Sequence, residues 1–253
     1  MYKLSLNKLR IYAGAALRDV NYNILYNWFL HFKSKPIEVS NKRAIVFSPH
    51  QDDETIGCGG MIALKRSQGI PVKVVFITDG RYGKPDWIKA DNVVQYRQHE
   101  ANTALDILGI EQSQTQFLDE ADGSLTELSP EKRNLLISKL VEIIQTFEAQ
   151  EVYVPHHNDG HPDHEATYSL VRSAIETSKM QVELLQYPIW MLWRSPLSSH
   201  GYLQKTSNAY RLFIGNCQEK KQQAIAIYKS QTPNLPSSLK QSIFSPHEMF
   251  FKD

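Results

Sequence analysis

Two short stretches of this chain concentrate imidazoles and carboxylates. The first reads Ser48-Pro49-His50-Gln51-Asp52-Asp53-Glu54 and runs into Thr55-Ile56-Gly57-Cys58-Gly59-Gly60. The second reads Pro155-His156-His157-Asn158-Asp159-Gly160-His161-Pro162-Asp163-His164. Imidazole nitrogen and carboxylate oxygen suit a divalent ion of the zinc type, and Zn2+ and Fe2+ both accept them. A hydrolytic centre built on such an ion needs three protein ligands, a position for water and a separate carboxylate to take the water's proton. His50 and Asp53 can reach one point from the first turn, and His164 can complete the set from the second. Asp52 is then left beside the ion without being needed as a ligand, which fits a general base. His161 remains to face a reacting carbonyl, with Asp163 to orient it.

Elements on either side must carry these clusters. Ala44 to Phe47, Val72 to Ile77 and Val152 to Val154 are short β-branched runs that read as buried strands. Helical patterns span Thr55 to Gln68, Asn92 to Leu108, Glu131 to Phe147 and His164 to Ser178. The alternation predicts the α/β class: a Rossmann-like, mostly parallel sheet with helices on both faces. Each cluster falls at a strand-to-helix turn, where such sheets bind their ligands. Further strands are expected at Val182 to Tyr187 and Ala209 to Ile214, and a helix at Gln218 to Lys229. The tail with Pro233, Pro236 and Pro246 reads as irregular.

The composition is that of a folded globular protein: 42% hydrophobic and 22% charged residues among 253. A net charge of +1 gives no whole-molecule case for nucleic acid as a partner. Cys58 and Cys217 are too few for a disulfide framework, and no apolar run reaches the ~20 residues of a membrane span. A cytoplasmic protein is expected. The charge is uneven, however: Met1 to Arg43 carries eight Lys or Arg against Asp19 and Glu38. Residues 1–42 therefore read as a basic N-terminal helical segment ahead of a domain over residues 43–253. In that segment Leu17, Val20, Ile24, Leu25, Trp28, Phe29 and Phe32 recur at helical spacing. One reading docks this stripe on the domain. The other lays a basic, aromatic helix on an anionic membrane surface, making the protein membrane-peripheral.

With these residues in view, the chain resembles a known family, the LmbE-like or PIG-L zinc-dependent N-deacetylases. Pro49-His50-Gln51-Asp52-Asp53-Glu54 matches the family's PHxDDE element and His161-Pro162-Asp163-His164 its HPDH element. Ile77-Thr78-Asp79-Gly80, Arg97-Gln98-His99-Glu100-Ala101, Asp122-Gly123 and Tyr228-Lys229-Ser230-Gln231 are similar to further family segments, so the likeness runs from about Arg43 to Gln231. It implies that His50, Asp53 and His164 hold Zn2+ and that Asp52 is the base. It also implies that His161, paired with Asp163, stabilises or protonates the transition state. Arg97 and Asp122 are similar to positions that contact a sugar in some members. Asp159 stands where some members place a tyrosine, and the tyrosine's role is not carried over.

The expected function is metal-dependent hydrolysis of the acetyl group from an N-acetylated amino sugar or glycoconjugate. The sugar part of this comes from the resemblance alone. The alternatives are an amidase acting on a non-sugar conjugate and a non-catalytic, metal-containing sugar-binding module, which would have no need of Asp52. Specificity is expected in the loops Arg81 to Ala90 and Leu192 to Gly201, where Tyr82, Trp87, Trp193 and Tyr202 are placed to stack on a sugar. Gly57 to Gly60 lacks the order of a phosphate loop and is expected to permit close packing instead.

Overall fold

The structure is a computed structural model that describes residues 6–193 and 208–252. One eight-stranded sheet organises it. The strands are β1 (Lys35–Ile37), β2 (Ala44–Ser48), β3 (Val72–Thr78), β4 (Thr115–Glu120), β5 (Glu151–Pro155), β6 (Glu183–Tyr187), β7 (Ala209–Phe213) and β8 (His247–Phe251). Their spatial order is β1-β7-β8-β6-β5-β2-β3-β4. Every pairing is parallel except those of β8, which runs antiparallel to both β6 and β7. Among the described residues seven α-helices accompany them: α1 (Leu6–Trp28), α2 (Asp53–Ser67), α3 (Val93–Ile107), α4 (Pro130–Phe147), α5 (Pro162–Ser178), α6 (Gln218–Ile225) and α7 (Ser237–Ile243).

The central strands are buried on both faces, so they read as unbroken hydrophobic runs. Ala44 and Val46 turn to a core shared with α2, α3, α6 and α7, including Met61, Ile62, Leu105 and Leu239. Ile45 and Phe47 turn to the opposite core, with Leu136 and Leu140 of α4 and Leu170 and Val171 of α5. Helices on both faces follow from this two-residue alternation. At the foot of α2, Lys65 is wholly buried, and its ammonium meets Glu151 at 2.8 Å and the carbonyls of Ser40 and Lys42 at 2.9 and 2.8 Å. That network ties the end of α2 to β5.

The tail departs from expectation. Ser237–Ile243 is helical, and His247–Phe251 enters the middle of the sheet. Pro236 and Pro246 stand just outside these two elements, where proline is tolerated. Residues 35–37, ahead of the expected domain start, pair with β7. The N-terminal stripe divides. Leu25 and Phe29 pack into the core beside Tyr22, which the expected stripe did not include, while Leu17, Val20, Ile24 and Phe32 are exposed. Tyr22 donates to Ser242 Oγ at 2.7 Å, and Asp19 accepts from Ser238 Oγ at 2.5 Å, which fastens α1 to α7. No helix among the described residues is long and apolar enough to cross a membrane.

Candidate active site

β2 and β5 are parallel neighbours, in register from Ala44 opposite Glu151 to Val46 opposite Tyr153. Their carboxyl ends therefore deliver the two chemical clusters side by side. The chain leaves β2 toward β3 and β4 in one direction, while β5 leads to β6 in the other, so the clusters meet where the strand order reverses. Asp53 opens α2, and Asp163 and His164 lie in the first turn of α5, where helix N-termini favour carboxylates.

The turn from β2 to α2 is tightly tied. Ser48 Oγ donates to the carbonyl of His50 at 2.7 Å, and Thr78 Oγ1 donates to that of Pro49 at 2.8 Å. Gln51 Nε2 returns a bond to the Thr78 carbonyl at 2.8 Å. Asp52 adopts φ 145°, a conformation rare for a residue with a side chain, which costs about 1–3 kcal/mol and needs such bracing. Its N–H is held by Glu54 Oε2 at 3.1 Å, and Glu54 is in turn gripped by the hydroxyls of Thr55 and Tyr228. The glycines of α2 serve close packing. A Cβ at Gly60 would lie 2.5 Å from Ile214, and one at Gly57 would strike the Tyr187 ring. Glu248 accepts the N–H groups of Gly60 and Met61 at 2.7 and 2.8 Å, deep in the helix. Lys221 bridges Glu248 to the Ile56 carbonyl at 2.6 and 2.8 Å.

Asp53 Oδ2 lies 3.1 Å from His50 Nδ1 and 3.2 Å from His164 Nε2. The far nitrogen of each imidazole is held by other carboxylates. His164 Nδ1 meets Asp159 Oδ2 at 2.7 Å, and His50 Nε2 meets Asp122 Oδ1 at 3.2 Å and Asp163 Oδ2 at 3.3 Å. These partners assign the ring protons to the far nitrogens, so the lone pairs of His50 Nδ1 and His164 Nε2 face Asp53. Buried His164 Nε2 makes no hydrogen bond despite its short distance to Asp53. Two such nitrogens and an anionic oxygen converging on one point favour positive charge among them, whether as protons on the imidazoles or as a metal ion. The donor set fits a divalent metal ion, with the outer carboxylates setting each tautomer. His161 joins the group: a nitrogen from each of His50, His161 and His164 falls within 4.8 Å of the others.

Burial and the adjacent Asp53 charge push the Asp52 carboxyl up to about 8, against the pull of Arg97. For Asp53 burial acts in the same upward direction but is outweighed by His164 and His50, which hold it far below the usual carboxylate range. Burial disfavours charge on His164, yet Asp53 and Asp159 raise it to about 9. His161 is lowered by burial and by its two imidazole neighbours, which favours its neutral form.

A cavity of about 290 Å3 opens on the cluster, lined by His50, Asp52, Asp53, Tyr82, Gly83, Arg97, Asp122, His161, Trp190 and Gln231. Several sequence expectations change here. Asp163 reaches His50, not His161, because Gly123 N–H and Leu125 N–H hold its carboxylate at 2.7 and 3.2 Å on the other side. Arg97 lines the cavity, but its guanidinium donates to the carbonyls of Gly80 and Gln51 at 2.9 and 2.8 Å and to Asp52 Oδ1 at 3.3 Å. Asp122 spends one oxygen on His50 and the other on the Tyr82 N–H at 2.9 Å. Trp87 packs edge-on against Tyr96, and Trp193 bonds Asp19; neither lines the cavity. Tyr202 lies outside the described residues. Trp190 was not singled out in the sequence, and Asp159 and Gln231 were named there, as a departure from the family pattern and within the Tyr228–Gln231 segment, without a role.

The chain is 27% identical over 171 residues to the 1D-myo-inositol 2-acetamido-2-deoxy-alpha-D-glucopyranoside deacetylase of Mycobacteroides abscessus, covering 60% of this chain and 61% of that protein. It is 32% identical over 163 residues to the uncharacterized deacetylase YaiS of Escherichia coli K12, covering 62% and 80%. It thus spans about three fifths of the length of the first relative. The fold matches the N,N'-diacetylchitobiose deacetylase of Pyrococcus horikoshii with TM-score 0.58, at 22% identity over 87% of this chain and 82% of the other. The profile described as "PIG-L: GlcNAc-PI de-N-acetylase" matches residues 45–175, just over half of the chain and inclusive of both clusters, and the chain belongs to that family.

Proposed function

We propose that this protein is a metal-dependent amide hydrolase that removes the acetyl group from an N-acetylated amino sugar or a glycoconjugate carrying one. The observation that carries the reading is the placement of Asp52. It stands beside the His50, Asp53 and His164 set and lines the same cavity, with no place in the convergent donor set. The sugar part is supported by the substrates named for the relatives, whose deacetylases act on sugar amides.

His50 Nδ1, Asp53 Oδ2 and His164 Nε2 would hold the ion, with Zn2+ the first choice and Fe2+ the second. When bound, such an ion supplies Lewis-acid polarisation of a carbonyl and acidifies water toward a pKa of ~7. Asp52 receives the proton of the attacking water, and its Oδ1 is kept in place by Arg97. His161, on the cavity wall and neutral, can donate a hydrogen bond to the oxygen that gains charge, and Asp52 hands the proton it took from water to the departing amine. Water adds across the C–N bond, giving acetate and the free amine. Asp163 and Asp122 keep His50 in its tautomer.

The test is direct. Purified protein is assayed for metal by mass spectrometry and for acetate release from a panel of acetylated amino sugars and glycoconjugates. Stoichiometric metal with acetate release supports the reading. Metal with no release from any member favours a binding module, and release from non-sugar amides alone favours the amidase.

A further inference from the structure

Tyr82 follows β3 and Trp190 follows β6, on opposite sides of the strand pair that carries the candidate ligands, yet both line the cavity over the cluster. Each is attached to that cluster in the same way. The Tyr82 N–H donates to Asp122 Oδ2 at 2.9 Å, and Asp122 Oδ1 lies 3.2 Å from His50 Nε2. The Trp190 N–H donates to Asp159 Oδ2 at 3.0 Å, and the same oxygen lies 2.7 Å from His164 Nδ1. One carboxylate thus registers each aromatic residue to one of the two imidazoles expected to hold the ion.

The Tyr82 ring is left available, while Trp190 packs partly against the core and keeps part of its surface at the cavity. Tyr82 is 75% exposed, a large apolar surface kept in water at the cavity. It stands over Gly123, where a Cβ would come within 3.4 Å of the ring. Trp190 is braced edge-on by Trp193 at 6.0 Å, and Trp193 is anchored through Nε1 to Asp19 at 2.9 Å. The rest of the lining is polar: Asp52, Asp53, Asp122, His161, Arg97 and Gln231. Two aromatic residues among hydrogen-bonding groups match a pyranose, whose C–H faces are apolar and whose rim carries hydroxyls. The surplus of carboxylates disfavours a phosphorylated planar ligand such as a nucleotide.

We infer that Tyr82 and Trp190 form the aromatic platform that receives the sugar ring and sets selectivity for a pyranose amide over an acyclic one. This rests on the deacetylase reading above and assigns its substrate contact to residues other than Arg97 and Asp122.

The experiment compares wild type, Tyr82→Ala and Trp190→Phe on the methyl glycoside of N-acetylglucosamine and on N-acetylethanolamine. Tyr82→Ala is expected to lose about tenfold more kcat/KM on the glycoside than on the acyclic amide, equivalent to about 1.4 kcal/mol. Trp190→Phe keeps a ring and is expected to lose less than Tyr82→Ala. Calorimetric binding of the same glycoside supplies a readout apart from turnover, with Kd weakened about tenfold by Tyr82→Ala. Equal losses on both amides together with unchanged Kd overturn the platform. If wild type hydrolyses neither amide, the deacetylase reading fails for these substrates, and the platform is then decided by the binding experiment alone.

Discussion

The carboxylate of Asp159 and the imidazole of His164 meet at 2.7 Å, both fully buried, with Oδ2 facing Nδ1. The same carboxylate accepts the N–H groups of Ile189 and Met191 at 2.9 and 3.0 Å as well as that of Trp190. One residue thus orients a candidate ligand and organises the segment after β6.

Asp159→Asn keeps an acceptor oxygen for the backbone but replaces a charged partner of the imidazole. Metal affinity is expected to fall about 10–100-fold, as for other outer partners of metal-binding histidines. Competition with a chelator measures it. An unchanged affinity would mean that His164 does not depend on Asp159.

Asp52→Asn is close in shape and cannot accept the proton. Metal content is expected to stay at the wild-type level, while kcat falls by about 10²–10⁴, the range for loss of a general base. Near-normal turnover with metal retained refutes the assignment of Asp52.

Lys221→Met leaves Glu248 charged and buried without its 2.6 Å partner, and frees the Ile56 carbonyl. Such a break costs about 3–5 kcal/mol. The midpoint of denaturant unfolding should drop accordingly. A loss below 1 kcal/mol, on the scale of an exposed ion pair, would show that the pair does not support α2.

Asp19 gives a pH dependence away from the site. Burial pushes its carboxyl up, but hydrogen bonds from Ser238 and Trp193 outweigh that and hold it below 3.8. A depressed native pKa means that the ionised form stabilises the fold above 3.8 and that this contribution fades as pH falls through the native value. The gap in thermal midpoint between wild type and Asp19→Asn is therefore expected to be wide at neutral pH and to close in strong acid. A gap independent of pH would sink this.

Much of the site was legible because its residues are neighbours in the chain. His50, Asp52 and Asp53 share one turn, as do His161, Asp163 and His164, and hydrophobic runs placed both turns after strands. Element boundaries near these turns fell within a residue or two of expectation. β8 was not legible, since His247 to Phe251 follows a proline-rich stretch and its burial comes from β6 and β7. The split of the N-terminal stripe was likewise hidden: periodicity groups its apolar residues but does not show that Leu25 and Phe29, with Tyr22, are the ones that meet the core.

The amino-acid sequence alone determined the donor types, their clustering and the α/β order of elements, because these depend on side-chain chemistry and on local periodicity. Only the tertiary structure decided which carboxylate serves which imidazole. Asp163 went to His50, Asp159 to His164, and Arg97 to the turn that holds Asp52. Asp159 and His164 share one loop, but the other two pairings join distant segments, and that of Asp163 with His50 is set by the register of β2 against β5, a long-range relation that no local pattern encodes.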